Sequence, residues 1–178
     1  MHCPITYIKR TENSGFAGGH NEIMRQAKGE FFFCLNPDVV ILQKDFFEKA
    51  IEPFYKDALV GAVQPKLLRF DMQTLAPAKK NGKEIIDTTG LLMLKNRRII
   101  NRGQGFCDEG QHESPEEVFG ADGAAPLYRK SALEDTKMPV FDGGGNESGK
   151  YEYFDEDFFA YKEEVDLAWR MRLFGWKA

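Results

Sequence analysis

Apolar positions along the chain fall into short blocks with two different periods. Ile5 to Ile8 (ITYI) is a β-branched and aromatic run that predicts a strand. Gly15, Gly18 and Gly19 follow as a permissive loop. Ile23, Met24 and Ala27 then recur at helical spacing, which predicts a helix over about 21–28 with Gly29 as its C-cap. Phe31 to Leu35 is continuously apolar, the pattern of a strand covered on both faces as in a parallel sheet. Strand, glycine loop, helix and strand together read as a βαβ unit.

Downstream, Phe46, Phe47, Ala50, Ile51 and Phe54 predict a second helix over about 44–55, and 60–70 reads as another strand. The polar stretch 71–84 reads as an exposed loop. Residues 91–94 and 98–101 flank Lys95-Asn96-Arg97 as a hairpin, and 108–117 is acidic and loop-like. Ser131 and Glu134 have the spacing of a capping box for a short helix, and 142–149 (DGGGNESG) reads as a flexible loop. Val165, Leu167, Ala168, Trp169, Met171 and Leu173 predict a largely buried helix over 163–174, stopped by Gly175. No repeat or linker interrupts this order. The expected architecture is one α/β domain over 1–178 with a mostly parallel, Rossmann-like sheet and flanking helices.

Composition narrows the function classes. With 178 residues, 42% hydrophobic and 29% charged, the chain has the profile of a globular protein with one core. A formal net charge of −4 argues against nucleic acid as a partner. Cys3, Cys34 and Cys107 have no metal-ligand spacing, and Cys34 sits in an apolar run as a small hydrophobe. This pattern fits a reducing, cytoplasmic setting, and no stretch approaches the roughly 20 apolar residues of a membrane span.

Three segments carry chemistry. Asn36-Pro37-Asp38 ends the apolar strand, where ligands of open α/β sheets bind. Asp38 is there either a turn residue or one carboxylate of a hard-cation site completed by a diphosphate; spacing alone favours the turn. Gly15-Phe16-Ala17-Gly18-Gly19 matches no dinucleotide fingerprint or P-loop, but amides at the following helix start could face a phosphate. Phe158, Phe159 and Tyr161 lie beside Asp155, Glu156, Asp157, Glu163, Glu164 and Asp166. Acidic residues in a first helical turn suit the macrodipole, and Asp166 with Arg170 is an i,i+4 pair. A carboxylate beside aromatic surface is also what a sugar hydroxyl needs.

Four quoted segments fall in one recognisable order: NSGFAGGHN, AKGEFFFCLNPDV, GADGAAPLYRKSALED and YFDEDFFAYKEEVDLAWRMRLFGWK. Together, from Asn13 to Lys177, they resemble family 2 glycosyltransferases of the GT-A fold, in particular their bacterial rhamnosyltransferase-like branch. The resemblance implies inverting transfer of a sugar from a nucleotide-diphosphate donor (dTDP-, UDP- or GDP-linked) to a glycan or lipid-linked hydroxyl acceptor. That transfer belongs to cell-surface polysaccharide synthesis, in the cytoplasm or at the inner face of the membrane. It makes Asp38 a ligand of a divalent Mn²⁺ or Mg²⁺, with Asn36 where many members have Asp. It places Gly15, Phe16, Ala17, Gly18, Gly19 and Asn21 in the donor pocket. It puts Gly120, Ala121, Asp122, Gly123, Phe159 and Tyr161 on the sugar and acceptor side, and makes Glu164, or its neighbour Glu163, the catalytic base. At a helix N-terminus that base is expected to be ionised near neutral pH.

Against the resemblance, the first βα unit and the closing helices are missing, so the sequence reads as a fragment truncated at both ends. The Ile5–Ile8 edge is then expected to pair with a second copy as a homodimer. Two other readings compete: a non-catalytic sugar- or nucleotide-binding module, and a sugar-1-phosphate nucleotidyltransferase, whose G-x-G-T-R-L-type loop is absent.

Overall fold

The computed structural model describes residues 4–178. Its elements, in chain order, are α1 (Gly15–Gln26), β1 (Phe31–Phe33), α2 (Phe46–Lys56), β2 (Ala62–Val63), β3 (Leu67–Leu68), β4 (Phe70–Asp71), β5 (Ala76–Pro77), β6 (Lys79–Lys80), β7 (Lys83–Glu84), β8 (Ile86–Thr88), β9 (Leu91–Met93), β10 (Ile99–Asn101), β11 (Leu127–Arg129), α3 (Lys130–Thr136), β12 (Met138–Phe141), β13 (Glu147–Glu152), a 3₁₀ turn (Glu156–Phe158) and α4 (Glu163–Leu173).

β11 lies between β1 and β2 and is antiparallel to both, with Phe32 opposite Tyr128 and Leu127 opposite Val63. Strand alternation sends Phe31 and Phe33 to one face, where they pack with Ala50, Phe54 and Leu127. Phe32 and Cys34 point the other way, into a core with Ala17, Met24, Tyr128, Leu133, Phe154 and Leu167. The apolar run is therefore covered on both faces, as its composition predicts. The parallel sheet is not found: every pairing between named strands is antiparallel, and the one parallel contact among the described residues is an isolated bridge from Val60 to Lys177. Helices on two faces are enough to bury a strand fully, whatever its neighbours' direction.

Arg129 fastens this sheet to α2. Its guanidinium donates to the carbonyls of Val60 (2.8 Å) and Phe54 (2.5 Å), and it lies 5.2 Å from the Phe54 ring centroid. Two carbonyls at and beyond the end of α2 thus gain a cationic partner where the macrodipole favours one. The outer edge of β2 is covered by Lys177, whose carbonyl accepts from the Gly61 and Ala62 amides.

Several elements differ from expectation. Ile5 to Ile8 form no strand; Ile5 and Tyr7 are 92% and 83% exposed. The edge through which a dimer was expected is thus not formed. Gly15, Gly18 and Gly19 belong to α1 and not to a loop, and that helix ends before Ala27, not at Gly29. The apolar strand stops at Phe33, short of Leu35, and 60–70 breaks into β2, β3 and β4. Residues 71–84 fold into the β4–β5 and β6–β7 hairpins. The second turns on Asn81 and Gly82, both at positive φ (53° and 78°), the two-residue Asn-Gly signal for a hairpin.

The capping box at Ser131 does not form. Arg129 precedes α3 without a side-chain cap, and Glu134 turns to Lys137 and to the Tyr153 hydroxyl. Residues 142–149 are the turn and start of the β12–β13 hairpin, with the Asp142 amide donating to the Asn146 carbonyl. α4 buries Leu167, Ala168 and Met171 but leaves Leu173 and Phe174 78% and 63% exposed, so only one face is interior. The β9–β10 hairpin and α2 form as expected.

α4 reaches the β9–β10 hairpin across Gly120, which bridges Leu91. A Cβ built there would lie 2.3 Å from the Ala168 Cβ, far inside contact distance. Gly120→Ala should therefore destabilise the fold by about 1–3 kcal/mol through overpacking. Adding Ala168→Gly should recover part of that loss in urea denaturation, and no recovery would mean the contact is not what limits the site.

Candidate active site

The carboxyl end of β1 and the residues leading into β11 run side by side. The Cys34 amide donates to the Pro126 carbonyl and the Asn36 amide to the Ala124 carbonyl, both at 3.0 Å. Asp38 lies two residues further on, exposed in the turn after Pro37. On the facing segment, Asp122 closes its own turn by accepting from the Ala124 amide (2.9 Å). Its second carboxylate oxygen accepts from Asn101 Nδ2 (3.0 Å), and its amide donates to Gln64 Oε1 (2.6 Å). Asp122 is thus held from three sides and half-buried.

Gly123 marks where three elements converge. A Cβ there would lie 3.7 Å from Phe16 Cζ and 4.0 Å from Glu164 Cβ. Phe16 is on the first turn of α1 and Glu164 on the first turn of α4. Gly15, at φ +68°, lies under the 159–162 loop: a Cβ would fall 2.1 Å from the Phe159 carbonyl oxygen. The Ala17 amide donates to that same oxygen at 3.4 Å. Gly18 allows close packing on Ser14, and nothing approaches Gly19 within 4 Å.

The loop itself is strained. Phe159 (φ 58°, ψ −61°), Tyr161 (φ 73°) and Lys162 (φ 79°) all have positive φ, and the Ala160 amide closes a three-residue γ-turn on the Phe158 carbonyl at 2.6 Å. Such residues cost on the order of 1–3 kcal/mol each and cluster at functional sites. Phe159 and Tyr161 are 51% and 85% exposed, so their rings face solvent beside Glu164. The stretch from Gly15 to Gly19, Asn36, Gly123, Phe159 and Glu164 is therefore one connected patch, with Asp38 and Asp122 at its margins.

A family model described as Glycosyl transferase family 2 matches residues 1–137, more than half of the chain. The chain belongs to the family 2 glycosyltransferases. No curated protein and no solved structure matches it. Membership makes this chain a glycosyltransferase with a nucleotide-sugar donor and a glycan acceptor, and implies the GT-A α/β fold. Among the described residues, no helix is long and apolar enough to cross a membrane.

Not every residue expected in this transferase's site points into it. Asn21 is fully buried: its Nδ2 donates to the Phe154 carbonyl (2.7 Å) and Glu156 Oε1 (3.0 Å), and its Oδ1 accepts from the Tyr153 and Phe154 amides (3.0 and 2.9 Å). Gly120 packs against α4, and Ala121 is 2% exposed in the core. Ala17, 0% exposed, and Gly18 are buried as well, so these five shape the site from behind. Cys34, 4% exposed, has its thiol pushed up to about 12 by burial, the chemistry of an inert hydrophobe.

The two glutamates differ. Glu163 is 3% exposed, and its Oε2 has no hydrogen-bond partner among the described residues. Glu164 is half-buried, and its Oε2 accepts from the Lys162 amide at 3.0 Å. Burial raises both carboxyls above their ordinary value, against the helix-start amides and the Lys162 charge that lower them. Asp122 adds to the rise at Glu164. At both glutamates desolvation outweighs the helix terminus.

A second unpartnered buried atom is the Tyr128 hydroxyl, which burial, and after it the nearby Cys34, Glu164, Asp122 and Glu163, push well above its usual range. Sequence reading passed over Tyr128, since nothing separates a core tyrosine from a site tyrosine before the fold is known. Among the described residues, no three His, Cys, Asp or Glu side chains converge as a metal site. Asp38 fits a cation only as a single exposed carboxylate sharing it with ligand phosphates.

The raised Glu163 carboxyl gives a signed stability prediction. Its folded state holds the proton more tightly, so that contribution is complete below the ordinary 4.5 and is lost as pH rises through the folded value. Glu163→Gln should therefore be more stable than the parent at neutral pH, with the difference closing below pH 4.5. A pH-independent difference in urea midpoints would contradict this.

Proposed function

We propose that this chain transfers a sugar with inversion from a nucleotide-diphosphate donor to an acceptor hydroxyl, with Glu164 as the general base. The observation that carries this reading is the convergence of Glu164, Gly123 and Phe16 beside the strand end bearing Asp38. Inversion needs a single in-line displacement. The acceptor oxygen attacks the anomeric carbon, its proton passes to a Glu164 carboxylate oxygen, and the bond to the diphosphate oxygen breaks with its electron pair leaving on the diphosphate. A carboxylate whose basicity is raised by burial suits that transfer, because it accepts a proton more readily than an ordinary one. Glu164 is preferred over Glu163, whose carboxylate is enclosed in the core.

The remaining residues bind and orient. At the start of α1 the half-buried Gly15 and Gly19 present backbone to the donor, while Ala17 and Gly18 pack behind them. Asp122, pinned by Asn101, is positioned to meet a sugar hydroxyl, and Phe159 with Tyr161 forms the exposed aromatic side of the acceptor pocket. Asp38 would hold a divalent Mn²⁺ or Mg²⁺, with Asn36 beside it, and such an ion when bound would offset the charge of the diphosphate. A role in surface polysaccharide synthesis, close to the rhamnosyltransferase-like branch and at the inner face of a membrane, completes the reading. Family membership sets it apart from the nucleotidyltransferase alternative. A binding module without turnover is the reading that donor hydrolysis tests directly.

Glu164→Gln should keep nucleotide-diphosphate affinity in calorimetry while transfer or donor hydrolysis falls by about 10²–10⁴. The acid limb of the parent's kcat/KM profile should lie above pH 4.5 and vanish in this variant. If Glu163→Gln is the inactive variant and Glu164→Gln turns over normally, the base is misassigned.

Asp38→Asn should weaken Mn²⁺-dependent nucleotide-diphosphate binding without changing the urea midpoint, because the side chain is exposed. Equal affinities would remove Asp38 from the site.

A further inference from the structure

Beside the Glu164 patch, a cleft of about 580 Å³ opens between the β9–β10 hairpin and α4. Ile99, Phe158, Val165 and Trp169 form its walls, and Arg98 and Lys162 stand on its rim. Lys162, Val165, Asp166 and Trp169 are spaced i, i+3, i+4 and i+7, so one stripe at and along α4 faces the cleft. Trp169 is fixed edge-on against Phe119 at 5.1 Å yet remains 39% exposed, which leaves part of the indole open to a ligand.

The charges on this rim are unbalanced. Asp166 also borders the cleft, but its carboxylate is held by Arg170 at 2.8 Å through both Nε and Nη2. Neither the Arg98 guanidinium nor the Lys162 ammonium has a hydrogen-bond or ion-pair partner among the described residues; both residues bond through their backbone groups. Lys162 acts on Glu163 and Glu164 only at longer range. Lys95 and Arg97, in the turn of the same hairpin, add two exposed cations. These cations gather on the hairpin side of the cleft and at the start of α4, while Asp155, Glu156 and Asp157 precede Phe158 in the chain.

We infer that this cleft binds the acceptor and selects a saccharide that carries an anionic group, a phosphate or a carboxylate. The inference rests on Glu164 being the base. A flat indole and apolar walls suit the C–H face of a pyranose ring, and a guanidinium free of internal partners suits an anion bidentately. Position follows from β10, whose Asn101 contacts Asp122 while Arg98 immediately precedes the strand. Three residues of extended chain span about 10 Å, so the charged group sits beyond the reacting sugar, on the neighbouring unit.

Calorimetry on the full chain, without donor, tests this with glucose, glucose 6-phosphate, glucuronate and inorganic phosphate as probes. Either charged sugar, or both, should bind more tightly than glucose and more tightly than phosphate alone. The tighter of the two identifies the anion as phosphate or carboxylate. Arg98→Gln should cut that affinity about tenfold, the scale of one lost hydrogen bond to a charged group, and leave glucose unaffected. Lys44→Gln, a cation distant in sequence from this rim, should change nothing. Glucose binding as well as both charged sugars, phosphate binding as well as either, or an unchanged Arg98→Gln overturns the proposal. A Glu164→Gln variant that still discriminates charged from neutral sugars keeps this cleft assignment separable from that of the base.

Discussion

One buried amide holds the site together. Asn21 uses both amide hydrogens and its carbonyl oxygen on residues 153–156, 132 to 135 positions away in the chain. Buried and fully satisfied, such a group contributes about 0.5–1.5 kcal/mol per bond, but leaving its partners orphaned would cost about 1–3 kcal/mol each. The asymmetry makes it a device for position more than for stability. It fixes Tyr153 and Phe154 against α1, so the following loop starts from a determined point and must cross Gly15 before α4 begins. Phe159 lands on Gly15, and Glu164 lands against Gly123, because the chain between them has little freedom left.

That arrangement explains how the acidic and aromatic residues near the C-terminal end come to face the glycines near the other end. Helix α1 and the loop at 159–162 are both poor local structures on their own: one has three glycines among its first five residues, the other three strained backbones in four. Each is the shape it is because the other is there. The antiparallel β1–β11 pair then brings Asn36 and Asp122 to the same end, and Gln64 and Asn101 lock Asp122 from outside the sheet.

What could be read from the sequence follows from where local signals were strong. α2 and α4 were legible from apolar spacing, and the β9–β10 hairpin from its flanking runs. The glycines of α1 misled because intrinsic propensity argues against them in a helix, whereas close contact with Phe159 demands Gly15 and close contact with Ser14 demands Gly18. Asn81-Gly82 was a readable hairpin turn hidden by the polarity around it. Strand direction was out of reach, since a run covered on both faces has the same composition in either sense. The order of motifs named the candidate residues, but only the fold distinguishes Glu164, half-buried, from Glu163, enclosed, and only the fold shows the buried Tyr128 hydroxyl without a partner.

The left-handed run at Phe159, Tyr161 and Lys162 has an evolutionary consequence. At these positions glycine would relieve backbone strain, and asparagine would be tolerated better than the bulky residues present. Selection for stability alone would therefore erase the two exposed aromatic rings and the lysine at the cleft. In this chain the loop is held by its contacts, the Phe159 carbonyl on Gly15 among them, and not by what its backbone prefers. A directed-evolution campaign screening only for heat resistance would be drawn to these codons first, and would lose the surface it set out to preserve.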